Sequence, residues 1–166
     1  MVTAWPEPVE RVSTFLRAAG AEARIEEFPE GTPTAADAAA AVGCELAQIV
    51  KSLVVRCDDR FVVAFVPGDR RGDTKKIARA AGTSIARVAS PEEVRRATGF
   101  EPGAVAPFPL PGVAAVYMDR SLLAHPIVWA GAGSTRHIVG LVPAELRRLA
   151  NARPFDLAQE VAAPQR

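Results

Sequence analysis

The chain holds few of the residues from which metal centres, disulfide frameworks and histidine-based catalysis are built: two cysteines and two histidines in 166 residues. Cys44 and Cys57 have neither redox nor metal-ligand spacing, and read as ordinary thiols of a reducing cytoplasm. No His/Cys/carboxylate cluster is legible, so neither a metal nor a cofactor is expected. Long apolar runs are missing as well, since none reaches the roughly 18 residues that cross a bilayer. The start, "MVTAWPEPVERV", lacks the basic and apolar segments of a secretory signal. A cytoplasmic protein without membrane contact is expected. One-sided charge is also absent, and a net charge of +1 argues against a dedicated tight binder of nucleic-acid backbone. It leaves room for transient contact through a local basic surface. The best such surface is "RRGDTKKIAR", with Arg70, Arg71, Lys75 and Lys76; Arg95, Arg96, Arg147 and Arg148 are scattered additions. A solvated helix face explains any one of these residues by itself.

Hydrolase and nucleotide-binding signatures are missing too. Ser121 and Ser134 have no G-x-S-x-G context, and neither cysteine sits in a nucleophile setting. "GAGST" lacks the Gly-Lys-Ser/Thr ending of a phosphate-binding loop. Asp58, Asp59, Asp69 and Asp73 are explained as turn and helix-cap residues.

What is present suits one domain with a substantial core. About half the residues are hydrophobic (49%) and few are aromatic (6%), so small and β-branched side chains must fill that core. "PVERVSTFLRAAG" places Val9, Val12, Phe15 and Leu16 at helical spacing and stops at Gly20. "ARIEEF" reads as a strand, and "GTPTAADAAAAVG" as a threonine-capped helix ended by glycine. "IVKSLVVRC" and "FVVAFVP", joined by Asp58-Asp59, form a hairpin signal. "DTKKIARAAG" reads as a capped helix, "SIARVA" as a strand, and "SPEEVRRATG" as a helix with Ser90 as cap and Pro91 first. "GVAAVYMD", "HPIVWAG" and "HIVGLV" read as strands, and "PAELRRLA" as a closing helix. The mixture predicts a single compact α+β domain, a mixed and partly closed sheet or barrel surrounded by helices. Residues 1–150 are expected to form it, and 151–166, above all "AAPQR", to be a partly disordered tail.

Three places could carry chemistry. In "LAQIVKSLVV", Lys51 alternates onto one strand face with Ile49, Leu53 and Val55. A lysine there either snorkels, protects a sheet edge, or is held as a functional charge. "TGFEPGAVAPFPLPG" has three glycines and four prolines without hydrophobic period, and is a shaped loop. Gly99 ends the preceding helix, Gly103 can take a positive φ, and Pro107 stiffens the turn after it. Such a loop can present backbone amides to a carbonyl oxygen, although plain connections share its composition. "WAGAGSTRHIVG" offers Gly131 and Gly133 for close approach and Ser134, Thr135 and His137 as polar groups; a lone histidine is as readily structural, and His125 has a weaker claim.

Taken in order, "IVKSLVV", "FVVAFVPGDRRGDTKKIARAAG", "TGFEPGAVAPF" and "PIVWAGAGSTRHIVGL" resemble the YbaK-like family of aminoacyl-tRNA deacylases, related to the editing insertion domain of bacterial prolyl-tRNA synthetase. The resemblance covers the chain to about residue 150. It implies hydrolysis of an amino acid from a wrongly charged tRNA, by a protein acting in trans, since no synthetase domain fits within this length. The acceptor end of the mischarged tRNA is the implied partner, with room for an aminoacyl-tRNA synthetase as a second. Lys51 occupies the family's functional lysine position, and "GAVAP" from Gly103 to Pro107, which includes Ala104, matches its G-x-x-x-P loop, with Gly99 just before it. Gly131 and His137 correspond more loosely to another pocket wall. Ala104 stands where many relatives have a second glycine and Ala130 near a serine of some members, which bears on amino-acid specificity. The competing expectations are a catalytically silent tRNA- or nucleotide-binding module of the same fold, and a small-ester hydrolase.

Overall fold

The computed structural model describes residues 5–160, within which five α-helices and eight strands succeed one another along the chain. α1 (Glu7–Ala18) leads into β1 (Arg24–Glu27), and α2 (Ala35–Val42) into the hairpin of β2 (Ile49–Cys57) and β3 (Arg60–Pro67). α3 (Thr74–Ala81), β4 (Ala86–Val88) and α4 (Pro91–Thr98) precede the long loop to β5 (Ala115–Asp119). β6 (Val128–Ser134), β7 (His137–Leu141), α5 (Pro143–Ala150) and β8 (Ala152–Phe155) complete it.

Local chemistry fixes most boundaries. Thr34 and Asp37 close a capping box on α2, Ser90 and Glu93 another on α4, and the Asp73 carboxylate caps α3 by accepting from the Lys75 and Lys76 amides. Gly43, Gly82 and Gly99 end the same three helices in the left-handed conformation. The β2–β3 pair is antiparallel along its length, and the pleat explains its near-continuous apolar composition. Val50, Val54, Val63 and Phe65 enter the main core, while Val55, Cys57, Val62, Ala64 and Val66 enter a second cluster against α3. Both faces are covered, so neither can be polar.

The sheet runs β1-β7-β6-β2-β3-β5-β8, with β4 paired to β2. It is mixed, as expected, but the barrel alternative is corrected: β1 and β8 are free edges and do not meet. The packed unit also continues past residue 150. β8 adds to β5 in parallel register, and Leu157 and Ala158 are fully buried against the second cluster. The expectation for "AAPQR" falls on residues outside those described.

Asp119 holds this last segment. Only 2% exposed, it accepts hydrogen bonds from the amides of Leu157 (2.8 Å) and Ala158 (3.2 Å) and from the Ser121 amide and hydroxyl. Burial opposes its charge, but the Ser121 hydroxyl, the Leu157 and Ser121 amides and the nearby Arg70 guanidinium together hold the carboxyl below its usual range. A depressed carboxylate contributes stability that is complete above the unfolded value of about 4 and is lost as pH falls through the folded value. Asp119→Ala is therefore expected to cost about 3 kcal/mol at neutral pH, by stranding buried amides and a cation. Urea titrations at neutral pH and near pH 3 check this, and the gap between wild type and variant should narrow at the lower pH.

Candidate functional site

β2 has two different neighbours on one edge. β6 pairs with it in parallel at Ile49 and Val50, and β4 pairs antiparallel at Val55–Cys57. Between them the edge is uncovered, and a cavity of about 310 Å³ opens there. It is lined by Ile49–Ser52, Trp129–Gly131, Thr32–Ala35 with Ala38, and Gly103–Val105. The "GAVAP" loop lies close against β6 there: a Cβ built on Gly131 would be 3.9 Å from the Val105 carbonyl oxygen.

Lys51, on the central strand β2, is one of the residues that line this cavity. Its side chain is half-buried, and Nζ donates to the Arg70 carbonyl at 2.5 Å. Burial pushes the ammonium pKa below its ordinary value, Asp69 acts the other way, and Arg71 adds to the lowering. One carbonyl cannot satisfy the three donors of an ammonium, so the group retains capacity for an anionic or carbonyl ligand.

Gly103 has φ +82°, in keeping with the motif, and the turn is closed by the Ala104 amide donating to the Glu101 carbonyl at 2.9 Å. A Cβ built on Gly103 meets nothing within 4 Å, so the constraint there is backbone conformation and not contact with protein. Ala104, Ala130 and Gly131 line the cavity with it.

His137 also lines the cavity, with one ring nitrogen engaged by Ser134. It is 2% exposed, and Nδ1 lies 2.6 Å from the Ser134 hydroxyl, which already accepts from the Arg136 amide. Nε2 stands 3.0 Å from the Glu27 carboxylate, out of line for a hydrogen bond, with Trp5 edge-on to the ring. His137 is a wall of the cavity.

The remaining candidates separate. Gly99 is the left-handed cap of α4, its carbonyl accepting from Arg11 at 3.0 Å, and does not line the cavity. Pro107 lines a different apolar cleft with Phe15, Phe108 and Pro109. The basic segment divides in two. The Arg70 guanidinium donates to the Ser121 hydroxyl (2.8 Å) beside Asp119, with a side chain 24% exposed; Lys76 binds Asp156 and the Ala158 carbonyl, with a side chain 20% exposed. Both tie the fold together. Arg71 and Lys75 remain exposed.

Sequence reasoning missed Thr32, Ser52 and Trp129 as cavity residues and saw Thr34 only as a cap. Trp129 had a signal in Gly140, its partner across β6 and β7: a Cβ on Gly140 would lie 2.6 Å from the indole. The pairing that connects them is visible only in the sheet.

A family model described as the aminoacyl-tRNA editing domain matches residues 29–149, which includes every residue of the cavity. The chain is 37% identical over 123 residues to the uncharacterized protein YwhH of Bacillus subtilis, covering 74% of this chain and 78% of that one. A proline–tRNA ligase of Xanthomonas oryzae is 34% identical over 137 residues, which are 80% of this chain but 24% of the ligase. The chain therefore spans about a quarter of that enzyme's length. A solved structure described as a candidate trans-editing enzyme for prolyl-tRNA synthetase superposes with a TM-score of 0.88 at 37% identity, covering 95% of this chain and all of that one. With cavity, lysine and glycine loop inside the matched segment, the chain belongs to the aminoacyl-tRNA editing domain family.

Proposed function

We propose that this protein is a trans-acting deacylase that hydrolyses the ester joining a wrong amino acid to the terminal adenosine of a tRNA. The observation that carries this reading is the convergence of Lys51 and the Gly103 loop on one cavity at the open edge of β2. In this reading the Lys51 ammonium holds an anionic part of the terminal nucleotide, and an amide of the loop faces the ester carbonyl. The Ala104 amide is spent within the turn, which leaves those of Gly103 and Val105 for the carbonyl. Water adds to the carbonyl carbon, the carbon–oxygen ester bond breaks, and the ribose oxygen leaves with a proton, assisted by the neighbouring ribose hydroxyl. Lys51 is assigned positioning and charge stabilisation. His137 is assigned no proton transfer, because its ring is buried and its Nδ1 is engaged by the Ser134 hydroxyl. The likeness of the whole fold to a candidate trans-editing enzyme supports action in trans.

A panel of tRNAs, each charged with a correct or incorrect amino acid, tests this. Selective discharge of mischarged members is the expected result. No discharge of any member would favour a silent tRNA-binding module, and equal turnover of small esters without tRNA would favour a general esterase.

The exposed basic residues give a separate expectation. Neutralising Arg71 and Lys75 should raise KM with little change in kcat and flatten the salt dependence of tRNA binding by about two in log–log slope. Neutralising Arg70 and Lys76 should instead lower thermal stability, since both hold the C-terminal segment. Binding isotherms over a salt series, with melting curves, separate the two pairs.

A further inference from the structure

The edge of β2 that faces the cavity has a defined hydrogen-bonding parity. The Gly68 amide donates to the Ile49 carbonyl (2.8 Å) on the β3 side, and the Ala89 amide to the Val54 carbonyl (2.9 Å) on the opposite side. The N–H and C=O of one residue leave a strand on the same edge, and successive residues alternate. Lys51 and Leu53 therefore turn their main-chain groups to β3, and Val50, Ser52 and Val54 turn theirs to the edge shared by β6 and β4. On that edge the parallel ladder stops at Val50↔Ala130, and the antiparallel one starts only at Val55↔Val88. The next rung of the parallel ladder would join the Ser52 N–H to the Gly131 C=O. The strands part before it forms, Ser52 finds no main-chain partner among the described residues, and both residues line the cavity.

A buried or half-buried peptide group without a partner is costly, and native folds leave few of them. Here an N–H and a C=O, aligned as a broken rung, face one small cavity. The geometry points to these two main-chain groups as the seat of the aminoacyl group, with the Ser52 N–H donating to the ester carbonyl and the Gly131 C=O accepting from the α-ammonium. This rests on the reading of the cavity as an aminoacyl-ester site and adds its recognition rule. The two contacts read only what all amino acids share, so discrimination between side chains falls to the apolar lining, Trp129, Ile138 and Ala38 among it. They also require a free ammonium. An N-acylated amino acid loses the charge, and its acyl group collides with the strand edge, so peptidyl-tRNA and N-blocked aminoacyl-tRNA are spared.

Amide hydrogen exchange on the unliganded protein tests the broken rung. The Ser52 amide should exchange fast while those of Lys51 and Leu53, bonded to β3, are protected. Adding glycylamino-deoxyadenosine, an amide-linked analogue that cannot be hydrolysed as an ester, should slow exchange at Ser52. Protection of Ser52 before the analogue is added, or analogue-induced changes around the cavity that bypass Ser52, would overturn the assignment. In kinetics, N-acetylation of an aminoacyl-tRNA that the protein discharges should lower kcat/KM at least tenfold; equal turnover of the two forms would overturn the ammonium contact. Replacing Ser52 by its α-hydroxy analogue, which removes the N–H and weakens the Lys51 carbonyl as an acceptor, should lower kcat about a hundredfold, as for loss of one oxyanion donor. It should lower the melting temperature only modestly, because the Lys51 carbonyl becomes a weaker acceptor in the β2–β3 ladder while no donor is removed from a ladder bond. If the wild type discharges no tRNA at all, the deacylase reading fails, and exchange with the analogue still decides the recognition rule.

Discussion

Lys51→Ala is expected to lose at least a hundredfold in deacylation while remaining folded. The side chain is half-buried at an open sheet edge, and its hydrogen-bond partner is a single carbonyl, that of Arg70. Truncation removes a desolvated charge together with the cost of holding it, so stability should change little or rise. What is lost is a half-buried cation on a residue that lines the cavity, where its interaction with substrate is less screened than in water. Lys51→Arg should recover only a small part of the activity. The wider planar guanidinium does not fit the space of a compact ammonium bonded to the Arg70 carbonyl. Single-turnover rates on a mischarged tRNA, with melting curves for both variants, are the measurement. Normal turnover by a folded Lys51→Ala protein would remove the lysine from the mechanism.

Gly103→Ala is expected to lower the rate by about a hundredfold, the usual consequence of displacing one oxyanion donor. Its cause is the backbone. At φ +82° an alanine is strained by about 1 kcal/mol, and relief of that strain rotates the Gly103 and Val105 amides away from the carbonyl. The sequence suggests obstruction by a β-carbon as a further cause, but the space around that position is open to protein atoms, so obstruction would have to be felt by the bound substrate. Ala104→Gly should be tolerated, and its effect on the range of accepted amino acids is read from the same tRNA panel. A folded Gly103→Ala protein with near-normal deacylation would leave the loop as a connection only.

Much of the fold was legible because its determinants are local. The caps Thr34, Asp73 and Ser90, the glycines that end the same helices, and the β-branched runs around Asp58-Asp59 act within a few residues of themselves. β8 was missed because "ARPF" has little strand character; its place is set by pairing with β5 and by Asp119 gripping the next segment, both distant in sequence. The basic run shows the same limit. Four cations within seven residues look equivalent in a sequence, yet Asp119 and Asp156 claim two of them from elsewhere in the chain.

For the candidate site, the sequence by itself determined which residue types were available: a lysine within an apolar strand, a glycine suited to positive φ, and a second glycine-containing strand. Their order along the chain carried the family resemblance. Only the tertiary structure decided that Lys51, Gly103 and Gly131 share one cavity, that Gly99 and Pro107 lie outside it, and that Nδ1 of His137 is engaged by Ser134. The physical reason is the parting of β6 and β4 along β2. Where two strands stop pairing depends on the packing of helices and loops from the whole chain, whereas strand propensity and turn chemistry act through near neighbours.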